Sequence, residues 1–242
     1  MKLNKLLLTA LLMGFCLVAT PATAGLITDW TYSLDYGFTS YSAGVTPDLN
    51  NPNGDPTKLS WGQGSQGPSS ILVAGTDVAP PGVSNGVYTT NAAAQLAMSF
   101  THDNNPITGT SLTEATLHSN IVLAGTYGLD FEIKFWETPN TPGDVDDIFY
   151  LVNPDDLVNQ FVIDDYLYTL TFTIDGLVTL PASANTHFGV AGDLQGLLTP
   201  ENEATSFNSY FTITAAPIPE PGTMILFGMG MIGMAGAIRR KM

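Results

Sequence analysis

The sequence predicts an all-β fold, a single β-sandwich of the jelly-roll or immunoglobulin-like kind formed by residues 25–216. Three observations support this prediction. Short apolar segments alternate with polar residues at the period of two that is typical of half-buried strands. Clusters of glycine, proline, asparagine and aspartate separate these segments at short intervals. Hardly any segment has the period of an amphipathic helix, and no repeat of about 20–50 residues indicates a solenoid or a propeller.

The first half of this domain contains four predicted strands. These lie at 30–38, at 58–62, at 70–73 and in a segment that ends at Phe100. The stretch 30–38 has the clearest alternation, with aromatic or leucine side chains at every second position. Turn-forming residues predict long loops at 42–56 and 75–86, and the alanines of 92–96 predict a helical turn.

The second half contains six predicted strands. They lie at 112–123, 127–136, 148–152, 161–174, 177–180 and 207–214. Gly125 marks the turn between the first two strands, and alternation predicts that Phe131, Ile133 and Phe135 face inward together with Leu129. The pair Asp175-Gly176 predicts a two-residue hairpin. Residues 137–147 are acidic and contain two prolines, so they predict a loop.

Residues 25–216 are strongly acidic. They contain 21 of the 22 acidic residues but only Lys58 and Lys134 among the basic ones, which gives a net charge of about −19. This charge argues against nucleic acid and anionic membrane surfaces as partners, and leaves cations, neutral glycans and basic proteins. The only cysteine, Cys16, lies before this domain, so the domain has no disulfide and no thiol nucleophile.

Three parts follow one another in the last segment, 217–242. They are a Pro-Glu-Pro motif (Pro219, Glu220, Pro221), an uncharged apolar stretch (223–238) and a basic end at 239–242 (Arg239, Arg240, Lys241). The sixteen apolar residues would span roughly 24 Å as a helix, less than the ~30 Å hydrocarbon core of a bilayer. The basic end favours the cytoplasmic side. We therefore predict a short transmembrane helix at 223–238, a marginal anchor.

This order of parts resembles the PEP-CTERM sorting signal, which exosortases of Gram-negative bacteria recognise and process. The resemblance implies that an exosortase removes the tail after a transient stay in the inner membrane, and that the protein ends at the cell surface or in the extracellular matrix. The alternative is an ordinary C-terminal anchor of a single-span protein.

The first residues, 1–24, have the composition of a secretory signal peptide. Lys2 and Lys5 precede an apolar stretch at 6–18, and Ala22 and Ala24 form a small-residue cleavage site. We expect export through the Sec translocon and a mature chain that begins at Gly25.

A second resemblance involves the segment Thr101-His102-Asp103-Asn104. This segment, with Leu-Ser-Trp-Gly at 59–62, resembles the THxN family of PEP-CTERM proteins. The resemblance implies an exported domain and no particular activity. Two interpretations of the residues stay open. Thr101, His102 and Asn104 would hydrogen-bond a turn after a strand, or His102 and Asp103 would bind a metal ion with His118 and His187.

The acidic loop is the best candidate for a cation site. Asp144, Asp146 and Asp147 supply carboxylate oxygens on a loop, and extracellular modules bind calcium weakly in such places. We predict one weakly bound calcium ion that joins this loop to the sheet edge. The alternative is a solvated acidic face, and no other cofactor is expected.

The sequence predicts a non-catalytic structural or exopolysaccharide-associated role. Exposed members of the set Trp30, Trp61 and Trp136 would stack on sugar rings, although each is also suited to the core. The alternative is a secreted hydrolase that acts on matrix polysaccharide. No catalytic arrangement in the sequence supports the hydrolase. Ser65 lies outside a Gly-x-Ser-x-Gly frame. A glycosidase needs two carboxylates across a cleft, and the sequence does not show which two of the 21 acidic residues these would be.

Overall fold

The computed structural model describes residues 25–48, 54–75, 82–125, 127–138, 146–219 and 229. The predicted signal peptide at 1–24, the transmembrane helix at 223–238 except for Met229, and the basic end at 239–242 lie outside these residues. Within the described ranges, no helix has both the length and the apolar character needed to cross a bilayer.

The described residues form fourteen strands, one short helix and one 3₁₀ turn. In chain order the strands are β1 (Asp29–Tyr41), β2 (Thr46–Asp48), β3 (Lys58–Trp61), β4 (Ser69–Gly75), β5 (Val83–Thr89), β6 (Gln95–Asp103), β7 (Glu114–Leu123), β8 (Tyr127–Trp136), β9 (Asp146–Leu151), β10 (Val158–Ile163), β11 (Tyr166–Ile174), β12 (Val178–Thr179), β13 (Gln195–Pro200) and β14 (Ala204–Pro217). The 3₁₀ turn is Pro154–Leu157, and helix α1 is Ala182–Phe188.

The strands form two sheets of seven strands each. The first sheet has the order β12-β13-β9-β8-β7-β1-β5, and the second has the order β10-β11-β14-β6-β4-β3-β2. Antiparallel pairs fix the register in both, for example Trp30 opposite Tyr88 in the first sheet and Phe100 opposite Phe207 in the second.

Aromatic side chains from the two sheets meet in the core. The ring centroids of Trp30 and Tyr168 lie 5.0 Å apart, those of Phe131 and Phe172 lie 4.8 Å apart, and Phe100 meets Phe149 at 4.5 Å. Each pair joins a strand of the first sheet to a strand of the second. The two inner faces therefore pack on each other, which confirms the predicted β-sandwich.

The chain divides into two compact units. The larger unit, Ile27–Val162 with Leu167–Ala216, contains nearly all of both sheets and α1. The smaller unit includes the turn Ile163–Tyr166 and the segment that begins at Pro217. Within it, the Ile218 N–H donates a hydrogen bond to the Asp165 carbonyl at 2.7 Å.

The alternation in the sequence predicts most strands correctly. Buried and exposed residues alternate along β1 from Asp29 to Tyr36, and Phe131, Ile133 and Phe135 of β8 are buried as expected. Gly125 forms the β7–β8 turn with a φ of 73°. In each case one face of a strand is packed and the other is not, which is the condition that produces a period of two.

Several predicted connections differ from the structure. The segment 161–174 is not one strand, because Asp164 adopts a left-handed φ of 52° and ends β10 before β11 begins. The Asp175-Gly176 turn is not a hairpin, because β12 pairs with β13 in the first sheet whereas β11 lies in the second. The predicted helical turn at 92–96 is wrong as well, since Gln95 already begins β6.

Helix α1 covers part of the outer face of the first sheet. Its buried residue Ala184 packs in a cluster with Ile148, Tyr150, Leu180 and Leu194. Gly189 ends the helix with a left-handed φ of 68°, a conformation that glycine adopts readily. The sandwich therefore has a small second core outside its main one.

Candidate functional site

The Thr-His-x-Asn segment lies at the end of β6, and its alternate side chains enter the interior. His102 is 0% exposed, and its ring lies between Trp61, Phe135 and Phe149 at centroid distances of 5.7, 5.4 and 5.6 Å. Asn104 is buried on the same side. Thr101 points to the outer face and bonds the Ser206 hydroxyl at 2.9 Å.

The buried residues of this segment bond to the opposite sheet. His102 Nδ1 lies 2.8 Å from Thr199 Oγ1 on β13, and Asn104 Nδ2 donates to Asp147 Oδ2 on β9 at 2.9 Å. The Thr138 N–H donates to the other carboxyl oxygen, Asp147 Oδ1, at 2.8 Å. We call the set His102, Asn104, Asp147 and Thr199 the inter-sheet bridge, because β6 belongs to the second sheet and β9 and β13 belong to the first.

Burial controls the charge of the bridge. Desolvation lowers the pKa of His102 to about 3. Desolvation also raises the pKa of Asp147 to about 8, against the hydrogen bond from Thr138, and the charges of Glu137 and Glu201 raise it further. Both groups are therefore neutral at pH 7, with the proton on the carboxyl group rather than on the imidazole.

The hydrogen bonds of Thr199 assign the proton that it shares with His102. Thr199 Oγ1 lies 3.5 Å from the Asp147 carbonyl oxygen, to which it can donate, so it accepts from His102 Nδ1–H. This assignment leaves His102 Nε2 as an acceptor with no hydrogen-bond partner, 3.9 Å from Asp147 Oδ2. That separation is too long for a hydrogen bond.

The bridge holds the two sheets together and is closed to solvent. His102, Asp147 and Thr199 are each 0% exposed, so no substrate reaches the imidazole in this conformation. The prediction that the segment bonds a nearby turn was too local, since its partners are 43 and 97 residues away. Sequence reasoning found His102 and Asn104 by resemblance but missed Thr199, which no motif marks.

Of the three predicted calcium ligands, the structure describes Asp146 and Asp147. Asp144 lies outside the described residues, Asp146 begins β9 opposite Pro200, and Asp147 belongs to the bridge. Because both Asp147 oxygens already accept hydrogen bonds inside the core, this residue is unsuited to a calcium ion at the surface. Among the described residues, no three His, Cys, Asp or Glu side chains are arranged to hold a metal ion. Calcium binding at this loop stays a prediction without Asp147.

The tryptophans have different environments. Trp30 and Trp61 are each 2% exposed and belong to the core, so neither can stack on a sugar ring. Trp136 is partly buried on the outer face of the first sheet, where His187 of α1 stacks on it at 4.1 Å with an interplanar angle of 7°. Of the other histidines, His187 is on α1 and His118 on β7, so neither joins His102 in the core.

A surface cleft of about 420 Å³ contains a pair of carboxyl groups that the sequence did not single out. Glu137 and Glu201 line it together with Ser111 and Thr138. Desolvation raises the pKa of Glu137, against interactions with Ser111 and Trp61, and the charge of Glu201 raises it further. The pair lies next to the bridge, since Thr138 N–H bonds Asp147.

The geometry defines an antiparallel β-sandwich domain whose last strand, β14, ends at Pro217, where the Pro-rich segment begins. A family model for the PEP-CTERM protein-sorting motif matches residues 217–241. This motif implies export, processing by an exosortase and transient membrane anchoring before surface display. No curated protein matches the chain.

The individual sorting residues lie mostly beyond the described part. Pro219 is described, whereas Glu220, Pro221, Arg239, Arg240 and Lys241 are not. Ala22 and Ala24 of the predicted signal cleavage site also lie outside the described residues.

We expect Asn104→Ala to destabilise the protein by about 1–3 kcal/mol, because it leaves Asp147 Oδ2 without its donor inside the core. The matched control is Thr101→Val on the outer face of the same strand, which should change the free energy of unfolding by less than about 0.5 kcal/mol. Urea unfolding of the purified variants measures both. Equal effects would show that the bridge has no special role.

The pKa values predict a loss of stability at mildly alkaline pH. The contribution of His102 to the free energy of unfolding falls as the pH falls from 6.5 toward 3. The contribution of Asp147 falls as the pH rises from 3.8 toward 8. The two effects oppose each other below pH 6.5. Above pH 6.5 the His102 effect is absent, so the Asp147 effect should lower the free energy of unfolding as the pH rises toward 8.

Asp147→Asn removes this titration, even if the substitution also changes the free energy of unfolding by a constant amount at every pH. The free energy of unfolding of this variant should therefore change much less between pH 6.5 and 8 than that of the wild type, as measured by urea unfolding at each pH. A wild-type slope that persists in Asp147→Asn would assign the titration to another group.

Proposed function

We propose that the protein is a non-catalytic component of the cell surface or of the extracellular polysaccharide matrix of a Gram-negative bacterium, and a member of the THxN family of PEP-CTERM proteins. The observation that carries the proposal is the sorting motif at 217–241. It assigns a destination outside the cell, where the domain's own chemistry must operate.

The buried bridge supports a structural role for the Thr-His-x-Asn segment. A catalytic histidine needs access to its substrate and a pKa near the working pH. His102 has neither property, because it is 0% exposed and burial lowers its pKa to about 3. The segment instead fastens β6 to the opposite sheet through Asn104 and Asp147.

The charge of the domain supports a neutral matrix polymer as partner. A net charge of about −19 on residues 25–216 repels polyanions such as polyuronates, nucleic acids and anionic lipid surfaces. Neutral polysaccharides are not repelled and offer many hydroxyl groups to polar side chains.

A secreted hydrolase remains the second candidate, and the cleft that contains Glu137 and Glu201 is the observation that favours it. Glycosidases combine a carboxylic acid of raised pKa with a second carboxylate across the cleft. Glu137 has a raised pKa, and the charge of Glu201 contributes to it.

Replacement of Glu220 tests the sorting step. Glu220→Ala should leave the protein in the inner membrane with its tail uncut, because the change alters the centre of the Pro-Glu-Pro motif. The matched control is Glu203→Ala, an exposed acid upstream of the motif, which should be processed and released like the wild type. Cell fractionation with immunoblotting measures location and size. Normal release of Glu220→Ala would contradict sorting through this motif.

The hydrolase alternative has its own test. We expect the purified protein to bind the producing cells' exopolysaccharide and to release no reducing sugar from it. Release that is lost in Glu137→Gln and kept in Glu203→Gln would instead establish the hydrolase. Release that is kept in Glu137→Gln would point to a different catalytic site.

A further inference from the structure

A groove of about 370 Å³ lies on the outer face of the first sheet. Residues of β1, β7 and β8 and the end of α1 line it, among them Tyr41, Glu114, Thr116, Lys134, His187 and Phe188. Its volume is within the range of about 300–1,000 Å³ that is usual for ligand pockets. It belongs entirely to the larger unit of the chain.

Two local features shape this groove. The register between β1 and β7 shifts between Phe38 and Ser40, which is a β-bulge, and bulges re-aim the side chains that follow them. Tyr41 comes directly after this bulge and is 38% exposed. On the other side, Trp136 holds the His187 ring in place by parallel stacking at 4.1 Å.

The polar groups of the groove are placed together without satisfying one another. His187 Nε2 is buried, has no hydrogen-bond partner and lies 3.7 Å from Glu114 Oε1. Desolvation lowers the pKa of His187, against the opposing charge of Glu114, which favours the neutral form of the imidazole. The Glu114 side chain is 74% exposed and open to a ligand.

We propose that this groove binds a neutral, hydroxyl-rich polysaccharide chain. The exposed Glu114 carboxylate accepts hydrogen bonds from sugar hydroxyls. The exposed ring of Tyr41 offers an apolar surface for a sugar ring. The strong negative charge of the domain disfavours acidic polymers. The inference deepens the proposed matrix role and depends on it.

Affinity electrophoresis of the purified protein tests the inference. Dextran, galactomannan and the producing cells' exopolysaccharide are cast in separate gels, and alginate serves as the polyanionic comparison. We expect retardation in at least one neutral gel and none in alginate. Tyr41→Ala and Glu114→Gln should each weaken the binding by about tenfold or more, which corresponds to about 1.4 kcal/mol.

Two controls lie outside the groove. Val87→Ala shortens an apolar side chain that is 64% exposed, and Glu203→Gln neutralises another exposed acid, so both should bind like the wild type. Glu114→Gln keeps the shape of the side chain and guards against a folding defect in Tyr41→Ala. Binding that survives both groove variants, binding to alginate alone, or no retardation in any neutral gel would overturn the inference.

Fractionation of cells separates this failure from a failure of the proposed function. If the wild type and both groove variants are retained equally in the matrix fraction, the matrix role stands and the groove is not its basis. If the wild type is absent from both the surface and the matrix fractions, the proposed function itself fails. Loss of only the groove variants from the matrix would support both.

Discussion

The bond between Asn104 and Asp147 is the interaction on which the rest of the arrangement depends. It joins the two sheets through a carboxyl group that is completely buried, where an unpaired charge would be very costly. The protein resolves this cost by keeping Asp147 protonated and by supplying donors to both of its oxygens. His102 and Thr199 complete the bridge, and the aromatic rings around His102 exclude water from it. Buried polar networks of this kind fix how two elements align, because a shifted register leaves their members unpaired.

The bridge also explains why the chemistry available to a ligand lies on the outside of the sandwich. His102 and Asp147 of the bridge are buried in contacts between the two sheets, and Trp30 and Trp61 are buried in the core. Among the described residues, the features open to solvent include the cleft at Glu137 and Glu201 and the groove at Tyr41 and Glu114. Helix α1 contributes to the second of these, because it covers only part of the outer face of the first sheet and leaves a polar strip beside it. A strongly acidic domain with such surfaces suits a matrix of neutral polymer better than any anionic partner.

The sequence predicted the strands well and their partners poorly, for a physical reason. Alternation along β1 and β8 records local burial of one strand face, so it is visible in a short window. After Asp175 the chain passes from the second sheet to the first, where β12 pairs with β13. Both features depend on contacts between residues that are distant in the sequence, so a short stretch of sequence does not reveal them. Helix α1 has seven residues and buries only Ala184, so it has no helical period to detect. Asp147 falls in the acidic stretch 137–147 that predicts a loop, where it is a candidate calcium ligand, whereas the structure buries it in β9. The Thr-His-x-Asn resemblance located His102 and Asn104, but it did not reveal that they bond across the sandwich.

His102 and Asp147 form a neutral pair closed to solvent, and nuclear magnetic resonance of the two side chains is the direct test of this arrangement. With ¹³C at the Asp147 carboxyl and ¹⁵N in the His102 ring, we expect a carboxyl group that stays protonated through pH 7 and titrates near 8, and an imidazole that stays neutral down to about pH 3. A carboxyl that titrates near 4, or an imidazole that titrates near 6.5, would contradict the claim.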